Sequence, residues 1–313
     1  MRLIVITGTT ATGKTELGIE VARLLNGEVI SADSMMVYRY MDIGTAKPSP
    51  EEMKGVPHHL IDIVEPSRDF SVKEFIQLAD RKIEEVTGHG KVPVVVGGTW
   101  LYIQALLYGL TDAPPSDWNL RKKLYQQEPQ VLYSRLQEVD SLYAQKIHPN
   151  DLKRIVRALE VYELTGKPFS YFQQKHRFSQ KRYDFVGFVL ERNRDELMDR
   201  IEKRVEKMFE KGLVEEVKRL MDMGYEKSLT AKQAIGYKEL IPYIRGEISL
   251  EEAKKQVIKN TKDFARRQLR TFRSKFSGRE NWHFIDAGNY TKSAVLDTII
   301  KKYRPEEQNE HTG

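Results

Sequence analysis

The chain of 313 residues is 40% apolar and 31% charged, the composition of a soluble globular protein with material for about two domains. It has no cysteine, which excludes disulfides, thiolate metal sites and cysteine nucleophiles. With no leader-like start and no apolar run long enough to cross a bilayer, it is expected in the cytoplasm and away from membranes, and its net charge of +6 points to a polyanionic partner.

Leu3-Ile4-Val5-Ile6 reads as a buried strand, and Leu17, Val21, Leu24 and Leu25 as the apolar face of a helix. Between them lies Gly8-Thr9-Thr10-Ala11-Thr12-Gly13-Lys14-Thr15, and strand, glycine loop and helix together are the setting of a P-loop. The two glycines let backbone N–H groups approach an anion, Lys14 supplies a point charge for a terminal phosphate, and the Thr15 hydroxyl is placed to hold Mg²⁺. The motif also marks ATP-binding proteins. However, no strand ends in an acid after a full apolar run, as the metal-holding Asp of P-loop ATPases does, so ATP hydrolysis is not indicated.

Residues 28–32 read as a second strand with Asp33-Ser34 at its carboxyl end, where ligands of open parallel sheets gather. By itself this position leaves Asp33 open as a site residue or as a cap. The loop through Thr45 and Lys47 to Pro48 either lies over phosphates or is a solvated loop. His58-His59 lacks a third ligand at a sensible spacing and reads as a packed or exposed pair. A helix over 70–86 carries a capping box, Ser71 with Glu74. The apolar strand 92–96 ends in Gly97-Gly98-Thr99, either a close backbone approach to a ligand or a tight turn.

Pro114-Pro115 marks a domain boundary, and 117–178 holds helices but no strand-like run. The helix over 150–165 buries Leu152, Ile155, Val156, Leu159 and Tyr162 and sets Lys153, Arg154 and Arg157 off that stripe. Residues 185–190 return to a buried strand, and 194–223 is a helical stretch with a break at Gly212. There Arg200 and Arg204 either clamp a phosphate or, as in the pair Glu196 with Arg200, decorate a surface. On the helix over 259–273, Lys259, Lys262, Arg266, Arg270 and Arg273 share one face with Asp263 as the single nearby acid, a stripe suited to a phosphate backbone. The expected fold is α/β: a P-loop parallel-sheet core with helices on both faces (1–115 and 183–303), an all-helical insertion domain (116–182) and a disordered tail (304–313).

Several segments carry a resemblance. Gly8 to Thr15, Asp33-Ser34, Tyr38-Arg39, Met41-Asp42-Ile43-Gly44-Thr45-Ala46-Lys47-Pro48 and Gly97-Gly98-Thr99 with Leu101-Tyr102 resemble the tRNA dimethylallyltransferase family. His148-Pro149-Asn150-Asp151, Arg157-Ala158-Leu159-Glu160 and Ile235-Gly236-Tyr237 fit the same pattern. The absence of cysteine is similar to the bacterial type, which lacks the zinc finger of eukaryotic relatives.

The resemblance implies transfer of a dimethylallyl group from dimethylallyl diphosphate to N6 of the adenosine immediately 3′ of the tRNA anticodon, with release of pyrophosphate. It makes Asp33 the general base and Thr99 a positioning group. Gly8, Thr9, Thr10, Ala11, Thr12, Gly13, Lys14 and Thr15, with Arg200 or Arg204, become the diphosphate site, with Mg²⁺ on Thr15. Its tRNA contacts fall on Asp33, Ser34, Met35, Met36, Thr99, Arg121, Lys153, Arg154, Ile155, Val156 and Arg157. They continue on Lys232, Gln233, Ala234, Ile235, Gly236 and Tyr237, and on Arg266, Arg267, Gln268, Leu269, Arg270, Thr271, Phe272 and Arg273. The partners so implied are tRNA and the prenyl diphosphate, met by a monomer. A P-loop kinase and a non-enzymatic RNA-binding module are the competing classes.

Overall fold

The computed structural model describes residues 2–176, 180–225, 228 and 233–304. Six strands form one parallel sheet in the order β3-β2-β4-β1-β5-β6. They are β1 (Leu3–Gly8), β2 (Gly27–Ser31), β3 (His58–His59), β4 (Val92–Gly97), β5 (Phe185–Glu191) and β6 (Trp282–Asp286). The short edge strand β3 and the mixed Trp282-His283-Phe284-Ile285-Asp286 of β6 lack the apolar runs by which the other four are legible.

The helices are α1 (Lys14–Leu24), α2 (Pro50–Met53), α3 (Val72–Gly88), α4 (Trp100–Tyr108), α5 (Trp118–Tyr125), α6 (Pro129–Val139), α7 (Ser141–Ala144), α8 (Leu152–Thr165), α9 (Phe169–His176), α10 (Arg194–Glu210), α11 (Leu213–Asp222), α12 (Leu240–Ile244), α13 (Leu250–Phe276) and α14 (Lys292–Tyr303). None of the described helices is long and apolar enough to cross a membrane.

Every residue of β1 and β4 is buried, as parallel strands covered on both faces require. Alternation sends Ile4, Ile6, Val94, Val96 and Phe188 to one face, where Leu17 and Val21 of α1 and Val295 and Ile299 of α14 complete a core. On the opposite face α3 packs on β2 and β4, and α13 packs on β1. There Phe276 stacks on Trp282 at 3.9 Å between ring centres, and Trp282 meets Phe185 edge-on. The expected capping box at Ser71 and Glu74 opens α3, and Gly212, at φ 95°, breaks α10 from α11.

Tyr108–Arg182 forms one compact unit and the remainder of the described chain the other. The first boundary therefore lies earlier than residue 115. The prolines belong to the helical unit because Arg157 Nη2 donates to the Pro114 carbonyl at 2.7 Å. The core of that unit is built from Leu124, Leu132, Leu136, Ile155, Val156 and Leu159. Of the expected tail, residues 305–313 lie outside the described residues.

Candidate active site

The sheet brings the loop after β1, the end of β2 and the end of β4 together at its carboxyl edge. The loop 8–15 turns three times into unusual backbone. Gly8 has φ 152°, Ala11 has φ 64°, and Gly13, which precedes α1, has φ 94°. A Cβ on Gly8 would lie 2.5 Å from the Leu190 carbonyl of β5, so the loop starts where only glycine fits. Three of its carbonyls are met by side chains. Lys14 Nζ and Thr12 Oγ1 donate to Thr9 O at 3.2 and 2.8 Å. Arg200 Nε donates to Ala11 O at 2.8 Å, and Arg192 Nε donates to Thr12 O at 3.1 Å. Glu196 pairs with Arg192 at 2.5 Å rather than with Arg200, so the surface pair anticipated from the i,i+4 spacing is replaced by a contact to the loop.

Lys14 is lowered to about 8, first by burial and then by Arg204, while Asp33 opposes the shift. Arg204 is partly buried, is likewise lowered by desolvation and feels Asp33 as its countercharge. Lys14, Arg204 and Asp33 thus share one electrostatic environment. Of the two arginines, Arg204 faces this charged centre and Arg200 braces the loop from its backbone side. The two readings of Asp33 coexist. Its Oδ1 accepts from Met35 N at 2.8 Å and Met36 N at 3.4 Å, capping the turn, and Asp33 lines a cavity with Lys14, Thr15 and Ser31. Thr99 Oγ1 accepts from Ser34 N at 3.0 Å, tying the β4 turn to the end of β2. The glycines before it serve protein contacts. Gly97 lies against the Ala32 backbone, and a Cβ on Gly98 would sit 2.7 Å from Gln268 Nε2.

Gln268 departs from its expected role as an RNA contact. It is buried, accepts from Thr10 N at 2.9 Å and donates to Gly98 O at 2.9 Å, so it joins α13 to the P-loop and the β4 turn. Phe272 is fully buried against the sheet and cannot present its side chain to RNA. The basic stripe is also less uniform than its sequence: Lys262 pairs with Glu202, Arg266 with Asp263 at 2.6 Å, and Arg273 with Glu191 through two bonds at 2.8 and 3.0 Å. Arg267 and Arg270 are exposed with no ion-pair partner among the described residues, while Leu269 and Thr271 beside them are partly buried.

Other expected RNA contacts are structural too. In the helical unit, Ile155 and Val156 are fully buried, and Arg121 and Arg157 both bind the buried Glu160, Arg121 at 2.9 and 3.0 Å. Lys153 and Arg154 remain exposed, Arg154 beside Asp151 at 3.1 Å. Ala234 and Tyr237 are buried, Gly236 turns at φ 96° and donates to Glu239 at 2.7 Å, Ile235 is partly buried and Gln233 is exposed. Lys232 lies outside the described residues.

Sequence reasoning missed Glu216. This buried carboxylate accepts from the N–H groups of Asp42, Ile43 and Gly44 at 3.1, 2.8 and 3.1 Å, and from Tyr237 Oη at 2.6 Å. The 41–48 loop is accordingly held in place by the protein's own side chains. Lys47 turns inward to Asp42, Asp62 and the Tyr38 carbonyl, and Thr45 Oγ1 donates to Met41 O at 2.7 Å. Gly44 packs against the Tyr237 ring. The available signal was a carboxylate on the apolar stripe Leu213, Val217, Leu220 of α11. For Arg192 it was a cation one residue past a strand that borders the P-loop strand. His59 is paired with Glu28 at 2.6 Å and His58 with the Val56 carbonyl at 2.8 Å.

A parallel sheet with a glycine loop at its carboxyl edge and cations gathered around that loop defines an α/β enzyme. The sequence profile of the IPP transferase family matches residues 36–275, and that of isopentenyl transferases residues 1–69. The chain is 62% identical over 304 residues to a tRNA dimethylallyltransferase of a Sulfurihydrogenibium species, covering 97% of this chain and 98% of that one. It matches the crystal structure of a tRNA isopentenylpyrophosphate transferase from Staphylococcus epidermidis with TM-score 0.72 and 42% identity, over 97% and 99% of the two chains. It matches a eukaryotic dimethylallyltransferase acting on tRNA with TM-score 0.82 and 29% identity, over 98% and 81%. The chain belongs to the IPP transferase family and is a tRNA-modifying prenyltransferase.

Proposed function

We propose that the chain transfers a dimethylallyl group from dimethylallyl diphosphate to N6 of the adenosine 3′-adjacent to the anticodon, with Asp33 as general base. The observation that carries this reading is the shared charged centre of Lys14, Arg204 and Asp33 at the mouth of the P-loop. The N6 lone pair forms a bond to the allylic C1, the C1–O bond breaks, and its electron pair leaves with pyrophosphate. The N6 proton passes to the Asp33 carboxylate as positive charge builds on the amine. Loop N–H groups, Lys14 and Arg204 meet the charge that grows on the leaving oxygens. Asp33 Oδ1 stays engaged with Met35 N and Met36 N, so the carboxylate is oriented before the substrate arrives. Thr99 orders Ser34 beside it.

Thr15, Ser31 and Asp33 line one cavity, and Ser31 Oγ is buried with no hydrogen-bond partner among the described residues. Such hard oxygens beside an anion site suit Mg²⁺, with Thr15 as the holding side chain. When bound, the ion neutralises charge on the diphosphate. The adenosine must leave its stack to reach Asp33, an unstacking cost of a few kcal/mol that the anticodon loop keeps small. Arg267 and Arg270 on α13 and Lys153 and Arg154 on α8 are the exposed cations assigned to tRNA. A tRNA substrate supports a cytoplasmic location.

The test is transfer of radiolabel from dimethylallyl diphosphate to unmodified tRNA. Label should appear with the native protein and vanish both with Asp33→Asn and with tRNA carrying guanosine in place of the target adenosine. Label that persists on the guanosine tRNA would remove the assignment of the acceptor.

A further inference from the structure

We infer that Arg192, with Arg200 beside it, sets the shape of the diphosphate cradle by holding P-loop carbonyls outward, so that Arg192 is a positioning residue for the prenyl donor. The inference rests on the diphosphate reading above and adds a residue to it. A loop that aims consecutive N–H groups at an anion turns its carbonyls the other way, and each of those carbonyls needs a donor of its own. Here three carbonyls of the loop are met by three different cations: Thr9 O by Lys14, Ala11 O by Arg200 and Thr12 O by Arg192. The loop does not keep this shape unaided. Ala11 carries a Cβ at φ 64°, a left-handed conformation that persists only where its surroundings enforce it.

Arg192 is well placed to enforce it. It follows β5, whose Leu190 carbonyl presses on Gly8, so the strand that supplies the arginine also fixes the start of the loop. Its Nη1 is held by Glu196 at 2.5 Å, which orients the guanidinium, and its Nη2 lies 3.9 Å from the position a Cβ would take on Gly13. The side chain is mostly buried, with 16% of its surface exposed, so its hydrogen bond to Thr12 O is shielded from water. A charge-assisted bond of this kind is stronger than a neutral one, and its positive charge favours the anion the loop receives. Arg192 acts on the donor through the Thr12–Gly13 backbone.

The experiment compares Arg192→Met and Arg192→Lys with the native full chain. It reads the KM for dimethylallyl diphosphate, the KM for tRNA, inhibition by inorganic pyrophosphate and the melting temperature. Arg192→Met is expected to raise the donor KM and the pyrophosphate inhibition constant by about tenfold or more, with the tRNA KM within about twofold. Arg192→Lys is expected to recover much of the loss, because an ammonium still donates to a carbonyl. Lys14→Met, run in parallel, reports on the cradle itself. If Lys14→Met leaves the donor KM unchanged, the diphosphate reading fails. If Lys14→Met weakens donor binding while Arg192→Met does not, or if Arg192→Met raises both KM values alike, the role given to Arg192 is overturned and the cradle stands.

Discussion

The P-loop and the basic face of α13 flank the same Gly98–Gln268 contact, yet they are stabilised in opposite ways. The loop is written locally, as eight consecutive residues with two glycines, and the distant Arg192 and Arg200 hold the carbonyls that this motif turns outward. The face of α13 is a tertiary product. Its stripe is positive in sequence, but Glu202 and Glu191, 60 and 82 residues away, neutralise Lys262 and Arg273. A phosphate loop can therefore be read from spacing, whereas the sign of a helix face is known only when its neighbours are.

The sharpest way to separate the two regions is to remove chemistry from one without disturbing the other. Asp33→Asn keeps an Oδ1 to cap Met35 and Met36, so the turn should survive. The rate of transfer should fall by about 10²- to 10⁴-fold with tRNA affinity nearly unchanged, measured by single-turnover transfer and by filter binding. An equal loss in both would show that Asp33 belongs to the RNA surface. Next in size is Glu216→Ala, which leaves the N–H groups of Asp42, Ile43 and Gly44 and the Tyr237 hydroxyl without their acceptor. A cost of about 3 kcal/mol in chemical unfolding is expected, since several buried donors lose one shared carboxylate.

Glu216 also shows where legibility ends. The four apolar strands, the α3 capping box, the helical character of the insertion and the P-loop were all readable, because each is a short-range pattern of period, cap or glycine spacing. The sequence reads Arg121, Arg157 and Gln268 as tRNA contacts and leaves Lys47 between a phosphate-covering and a solvated loop, and the structure turns each of them inward. What draws them in is a partner that the local pattern does not reveal: Asp62 for Lys47, the buried Glu160 for both arginines, and Thr10 with Gly98 for Gln268. A charged residue in sequence does not announce a buried countercharge. The 41–48 and 235–237 segments carry family motifs in sequence, but their physical link, Gly44 on the Tyr237 ring under the shared Glu216, exists only in the fold.

A smaller effect tests the cradle through pH. Burial places Lys14 at about 8 in the free protein. Below that pH the amine is charged and meets the diphosphate as a cation. As pH rises through it the neutral form takes over, and binding must first restore the proton. The donor KM should be level below this point and climb by about tenfold per pH unit above it. Lys14→Arg stays cationic throughout and should flatten the profile. A native KM that is already flat to pH 10 would mean that the amine is not what meets the diphosphate.

The smallest effect distinguishes cations on α13 that look alike in sequence. Arg270 and Arg273 both lie in the stripe, but Arg273 is engaged by Glu191 through two bonds, while Arg270 has no ion-pair partner among the described residues. A free guanidinium releases counterions when it meets a phosphate, whereas an already paired one must first surrender its carboxylate. Arg270→Ala should weaken tRNA binding by about three- to tenfold and lower the slope of log affinity against log salt by about one, leaving the donor KM alone. Arg273→Ala should change the salt slope much less and free Glu191 beside Arg192. The paired measurement asks whether RNA reads the stripe as sequence writes it or as tertiary pairing leaves it. Equal slopes lost in both variants would mean that RNA displaces Glu191 on binding, and the helix face would then behave as the uniform stripe its sequence describes.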